Sequence, residues 1–261
     1  MTIETIISTM HQNDYALLER MNICTDAIVI NQCDKNSFIV FDYRGHLIKW
    51  VSTTDRGIGK SRNLGIIYSS ADILLFADDD IVYVDNYPDL VLNAFSDSKI
   101  DMVMFNLVSQ NPDRPEILTK KDYKLKWTNC LKFGAFRIAI KRKTIEKNNV
   151  FFSLLFGGGS KYQNGEDNIF ITHNLFKGAY GLASSLTIGT VEQKQSTWFK
   201  GYDETYYHDR GALMTALYGR KSLFIIPLYE VLKSRNKKIP LFRRIKLEFI
   251  GRKDFLKHNK N

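Results

Sequence analysis

The sequence predicts an α/β protein: a mixed, mainly parallel central sheet flanked by helices, followed by a basic helical C-terminal extension. Three observations carry that expectation. The apolar run Ile73-Leu74-Leu75-Phe76-Ala77 stops abruptly at Asp78-Asp79-Asp80. A strand buried on both faces of a wound sheet reads that way, and ligands bind beyond the carboxyl ends of such strands. Up to Asp80, short apolar runs alternate with segments of helical spacing, as in βα units. Charge, finally, is concentrated: from Gly219 onward thirteen Lys or Arg face three acids (Glu230, Glu248, Asp254), a balance of +10 in a chain of net charge +9. The body is close to neutral and the tail is cationic.

In order, residues 5–9 form a short strand, 15–21 carry Leu17, Leu18 and Met21 at helical spacing, and 27–30 form a second buried strand. The runs 38–43 and 46–51 flank Arg44-Gly45 as a hairpin. A glycine-rich segment, Asp55-Arg56-Gly57-Ile58-Gly59-Lys60-Ser61-Arg62-Asn63, then leads into a helix through Tyr68 and the strand 73–77. Beyond the acids, Pro88 opens a helix through Phe95, 101–108 is a strand, and 111–127 is a polar surface excursion. The spacing next predicts a strand over 133–140, a basic helix over 141–147, a flexible glycine loop over 156–165, a helix to Phe176 and a strand over 182–191. No internal repeat and no clean linker interrupts the chain. The expected organisation is a catalytic domain over 1–210, with a nucleotide-binding half (1–110) and an acceptor half (111–210), followed by a basic helical segment over 211–261.

Length and composition suit a globular protein with a full core. Three widely spaced cysteines without a CxxC pair exclude a disulfide framework and a cysteine zinc site. The N-terminus lacks a signal-peptide pattern, and no run reaches the roughly 18 apolar residues of a membrane span. A cytoplasmic location is expected.

Three adjacent carboxylates repel one another and favour a cation among them; oxygen-only ligands suit Mg²⁺ or Mn²⁺ shared with phosphates. The same acids also suit a solvated turn. The segment from Asp55 to Arg62 joins glycines, hydroxyls and three cations ahead of a helix, a site for nucleotide phosphates or base, or ordinary capping. Glu166-Asp167 lies behind the triple glycine Gly157-Gly158-Gly159, placed either to cap a helix or to take a proton from a hydroxyl. His208-Asp209-Arg210 offers a further metal ligand, a phosphate contact or a surface turn. Trp198 offers a stacking face for a sugar or a packing contact.

The order of these pieces resembles glycosyltransferase family 2, nucleotide-sugar enzymes of the GT-A fold. The resemblance rests on the strand ending at Thr9, on Gly57-Ile58-Gly59-Lys60-Ser61-Arg62-Asn63, on Phe76-Ala77-Asp78-Asp79-Asp80 as a DXD-like motif, and on Gly165-Glu166-Asp167 as an ED-like one. It implies that Asp80 and Asp78 hold Mg²⁺ or Mn²⁺ at the donor diphosphate, with His208 a tentative further ligand. It implies Asp167 as general base supported by Glu166. Donor contacts would come from Thr9, Asn31, Gln32, Arg56, Gly57, Lys60, Arg62, Asp78 and Asp79, and acceptor contacts from Gly158, Gly159 and Trp198. Where the family has an aspartate-rich end of its second strand, this chain has Asn31-Gln32-Cys33-Asp34. The pattern is similar to bacterial enzymes of capsule or O-antigen assembly, so the implied partners are a UDP-sugar or related donor and a lipid-linked saccharide.

Residues 223–229 and 241–250 combine apolar and basic positions at helical spacing, which suits the inner membrane surface or a helix packed on the body. No nucleic-acid partner is expected, although a basic nucleic-acid-binding protein is one alternative. A Mg²⁺-dependent nucleotidyltransferase or phosphatase is the other.

Overall fold

Alternation along the buried strands decides the layers. Ile7, Leu75, Ala77, Val103 and Phe105 face one core, and their chain neighbours Ile6, Leu74, Phe76, Met102 and Met104 face the other. Period-two side chains buried on both sides need helices on both sides. The computed structural model describes residues 1–193, 201–233 and 239–258.

The first half runs β1 (Ile3–Met10), α1 (Leu17–Arg20), β2 (Asp26–Gln32), β3 (Ser37–Tyr43), β4 (His46–Thr53), α2 (Ile58–Tyr68), β5 (Ile73–Asp78), β6 (Ile81–Tyr83) and α3 (Tyr87–Ala94). It continues through β7 (Met102–Ser109), β8 (Tyr123–Lys124), β9 (Ile138–Lys141), α4 (Arg142–Asn148), α5 (Glu166–Phe176) and β10 (Gly181–Val191). Three helices close the described chain: α6 (Glu204–Tyr218), α7 (Ser222–Lys233) and α8 (Leu241–His258). Among the described residues the strands form one sheet in the order β3-β4-β2-β1-β5-β9-β7-β10-β6, with β8 beside β10. The block β4-β2-β1-β5 is parallel, as is the pair β7 and β10, whereas β3, β6, β8 and β9 pair antiparallel. The α/β expectation holds, with the parallel block where the glycine-rich and acidic motifs lie.

Two local expectations differ. The strand foreseen over 133–140 is a 3₁₀ turn, Ala135–Arg137, followed by the four-residue β9. The turn aims the fully buried Arg137 inward, where it donates to the carbonyls of Phe105 and Ile117 and to Asn106 Oδ1. A buried guanidinium requires such partners, and here it overrides the apolar spacing. The boundary placed at 210/211 falls inside α6. A third core of Phe156, Tyr162, Ile169, Leu213, Leu217 and Phe255 joins α5, α6, α8 and the loop ahead of α5. At the α6–α8 crossing both helices carry glycine: a Cβ on Gly251 would stand 1.8 Å from the His208 carbonyl oxygen, and one on Gly211 1.9 Å from that of Glu248. The C-terminal helices are built onto the body.

Candidate active site

Asp78 ends β5, and Asp79 and Asp80 form the turn into β6. Across from them, α2 starts at Gly57, whose N–H donates to Gln32 Oε1 at 2.8 Å. One turn further along, the Arg62 side chain is 4% exposed, and its two terminal nitrogens reach Asp78 Oδ1 and Glu166 Oε1, each at 2.9 Å. Its Nε is buried without a hydrogen bond, and the guanidinium lies 5.3 Å from the Phe152 ring centre. Burial alone would lower the Arg62 pKa, but Asp78 and Glu166 outweigh it and raise it. The cation is locked in place.

Each acid of the triplet has its own environment. Asp78 pairs with Arg62. Asp79 accepts from the Thr9 hydroxyl at 2.5 Å, and Thr9 in turn accepts from the Gln12 amide at 2.9 Å. Asp80 accepts from the backbone N–H of Gln193 at 3.1 Å, and its carbonyl from that of Glu192 at 3.0 Å. Burial and the charge of Asp78 push Asp80 up to about 6. Gln193 also bonds Glu116 Oε1, which ties the 111–127 excursion to the acidic turn.

Asp167 and Glu166 open α5 behind Gly165, whose φ of +107° is one that glycine adopts without a Cβ penalty. The backbone N–H of Asn168 donates to Asp167 Oδ1 at 2.7 Å. Burial first, and then the neighbouring Glu166 charge, hold the Asp167 carboxyl well above the usual carboxylate range. The loop before α5 is anchored from the C-terminal helices: Asp209 on α6 accepts from the Gln163 N–H, and Asp254 on α8 from the Tyr162 hydroxyl, both at 2.9 Å.

The structure thus joins Asp78, Arg62 and Glu166 directly, with Asp79 and Asp80 adjoining Asp78 and Asp167 adjoining Glu166. Other sequence candidates are engaged elsewhere. Asn31 exchanges two hydrogen bonds with the Gln12 backbone, and Gln32 holds the start of α2. Arg56 donates to the carbonyls of Cys33, Thr53 and Thr54 and pairs with Asp34; exposed Lys60 pairs with Asp55. Gly158 accepts from the Ile58 N–H through its carbonyl, so the glycine loop, with exposed Gly159 at its tip, packs on the start of α2. His208 contacts Asp209 at 3.0 Å and lies beside Tyr162, at the α6 side of the loop. Trp198 lies outside the described residues. A cleft of about 290 Å³ opens beside the strand ends, lined by Gln32, Thr53, Asp55, Lys60, Ser61 and Leu154. A larger, mainly apolar cavity of about 460 Å³ between α5, α6 and α8 has no acid of the site in its wall.

Sequence reasoning missed Gln193 and Asp254, and read Asp209 with His208 as a metal or phosphate contact rather than an anchor of the loop, since each acts on a partner 46 to 113 residues away. Among the described residues no three His, Cys, Asp or Glu side chains gather as a metal-holding group. Asp78 and Asp80 can therefore supply only part of a coordination shell, as with an ion that keeps waters or substrate oxygens.

The sequence profile described as Glycosyl transferase family 2 matches residues 27–160. Among solved structures the chain is similar to S. aureus TarS 1-349 in complex with UDP-GlcNAc: 12% identity, 98% of this chain and 81% of that one covered, TM-score 0.69. A structure of S. aureus TarS is similar at 13% identity over 98% of this chain and 43% of that one, TM-score 0.60. No curated protein sequence matches. At these identities the structural likeness speaks for the fold.

Proposed function

The chain belongs to glycosyltransferase family 2, and from that premise we propose that it is an inverting hexosyltransferase. It moves a hexose from a nucleoside diphosphate donor, UDP-linked, to a hydroxyl of a lipid-linked saccharide during surface polysaccharide synthesis at the cytoplasmic face of the membrane. One observation carries the reading. Arg62 pairs with Asp78, 16 residues along the chain, and with Glu166, 104 residues along, so two acidic motifs become halves of one site. The TarS complex with UDP-GlcNAc supports the donor class. The nucleotidyltransferase, phosphatase and nucleic-acid readings yield to family membership.

The donor set suits a divalent cation: Asp78 and Asp80 offer only oxygen, and the burial and the repulsion from Asp78 that raise Asp80 are both offset by positive charge. Asp78 and Asp80 would hold Mg²⁺ or Mn²⁺, which would supply positive charge to offset that of the departing diphosphate. Asp167 takes the proton of the acceptor hydroxyl, whose oxygen attacks the anomeric carbon from the face opposite the diphosphate. The bond from that carbon to the phosphate oxygen breaks, and its electron pair leaves with the nucleoside diphosphate. A carboxylate held above its usual pKa is the stronger base for this step. Glu166, fixed by Arg62, positions the pair. Purified Asp80→Ala and Asp167→Asn should each lose transfer by about a hundredfold or more while melting like the wild type. Wild-type transfer in either variant overturns that residue's role.

A further inference from the structure

We infer that α7, with the outer face of α8, is a docking surface for an anionic lipid bilayer. On α7, Phe224, Leu228, Val231 and Leu232 recur at helical spacing and are 78%, 58%, 65% and 67% exposed, while Ile226 and Glu230 face inward. At the start of α8, Phe242 is 85% exposed. An apolar stripe of this kind facing water marks an interaction surface.

Charge identifies the partner. All three acids of the extension are already paired, Glu230 and Glu248 in buried contacts and Asp254 in a half-exposed one. Glu230 pairs with Arg210 and Arg244, Glu248 with Arg210, and Asp254 with Lys161. Outside, Arg220 and Lys221 flank the start of α7, and Lys246, Lys253 and Lys257 stand exposed on α8. The result is an apolar stripe bordered by cations, the composition that lies in a bilayer interface bearing anionic headgroups. A second copy would set the same cations against each other, and nucleic acid would leave the large apolar side chains unburied. Among the described residues no helix is long and apolar enough to cross a membrane, so the surface lies on the bilayer.

This deepens the proposed function by naming where the enzyme meets its acceptor's membrane, yet docking itself is read as vesicle binding, with neither donor nor acceptor present. Full-length protein is sedimented with phosphatidylcholine vesicles and with vesicles containing about one-third phosphatidylglycerol. Binding is expected to the second only and to weaken with salt. Phe224→Ser/Leu228→Ser should lower it about tenfold or more, and Lys246→Glu/Lys253→Glu at least about twentyfold. Phe38→Ser, on the exposed face of β3, should bind like the wild type. Both double variants should keep the wild-type melting temperature and donor hydrolysis, which separates loss of docking from loss of the site. Equal binding by the wild type and the apolar variant overturns the proposal. So does failure to bind either vesicle, a dimer that the apolar variant abolishes, or tighter binding to an oligonucleotide than to the anionic vesicles.

Discussion

At the scale of single residues the site turns on Arg62. Its fork holds Asp78 and Glu166 together, and its charge also lowers the proton affinity of Asp167. Arg62→Met should therefore cost about 3–5 kcal/mol, because it strands acids that are partly withdrawn from water. It should also move the acidic limb of kcat/KM to higher pH. The sign follows from the charge: removing a cation makes Asp167 easier to protonate, so the base is lost at a higher pH as pH falls. Arg62→Lys should restore most of the limb's position and less of the stability, since an ammonium cannot bridge both acids as a fork. Melting curves and pH–rate profiles check both, and an unmoved limb in the Met variant refutes the coupling. In the wild type the limb should already lie above the ordinary carboxylate range, because burial and Glu166 raise Asp167. The places of these acids in the fold were legible in the sequence, since Asp78 follows a buried run and Asp167 opens a helix behind glycines. The use of Asn31, Gln32 and Arg56 was not. A polar side chain near a site can bind a ligand or hold a backbone, and only geometry shows that these three hold backbone.

At the scale of elements, the α6–α8 crossing decides how firmly the loop ahead of α5 is held. The two helices meet glycine against backbone, and from that crossing Asp209 and Asp254 reach the loop that ends at Glu166. Gly251→Ala puts a methyl against the His208 carbonyl and should force the helices apart, at about 2–3 kcal/mol. Transfer should fall with it as the loop loosens. Thermal melts and transfer assays of the variant test this; a Gly251→Ala protein as stable as the wild type removes the crossing from the account. Helical spacing had revealed α8 as an amphipathic helix. Its partner stayed hidden, because Arg210 finds Glu248 38 residues away and no local pattern encodes that pairing. The failed strand over 133–140 has the same cause: apolar period suggests extension, but Arg137 must reach buried acceptors.

At the scale of the whole molecule, the sheet order explains why motifs scattered along the chain share one edge. Parallel β2, β1 and β5 end on the same side, so Gln32, Thr9 and Asp78 are neighbours although the intervening helices separate them in sequence. That arrangement was readable from the βα alternation; the antiparallel insertion of β9 between β5 and β7 was not, since strand pairing is non-local. The edge makes ligand linkage the most direct test of the molecule as a unit. A ligand that binds only the folded state stabilises it by about 2.7 kcal/mol at a hundred times its Kd. For a chain of this length that corresponds to a rise of about 5–10 °C in melting temperature. UDP with Mn²⁺ or Mg²⁺ should give such a shift, either partner alone less, and the other nucleoside diphosphates less than UDP. Asp80→Ala should remove the metal-dependent part and keep a residual response to UDP, because Thr9, Arg62 and the start of α2 remain in place. A larger shift from another nucleoside diphosphate would move the donor to that base and leave the site standing. No shift from any of them, with or without metal, would mean that the acids gathered at this edge serve a different ligand.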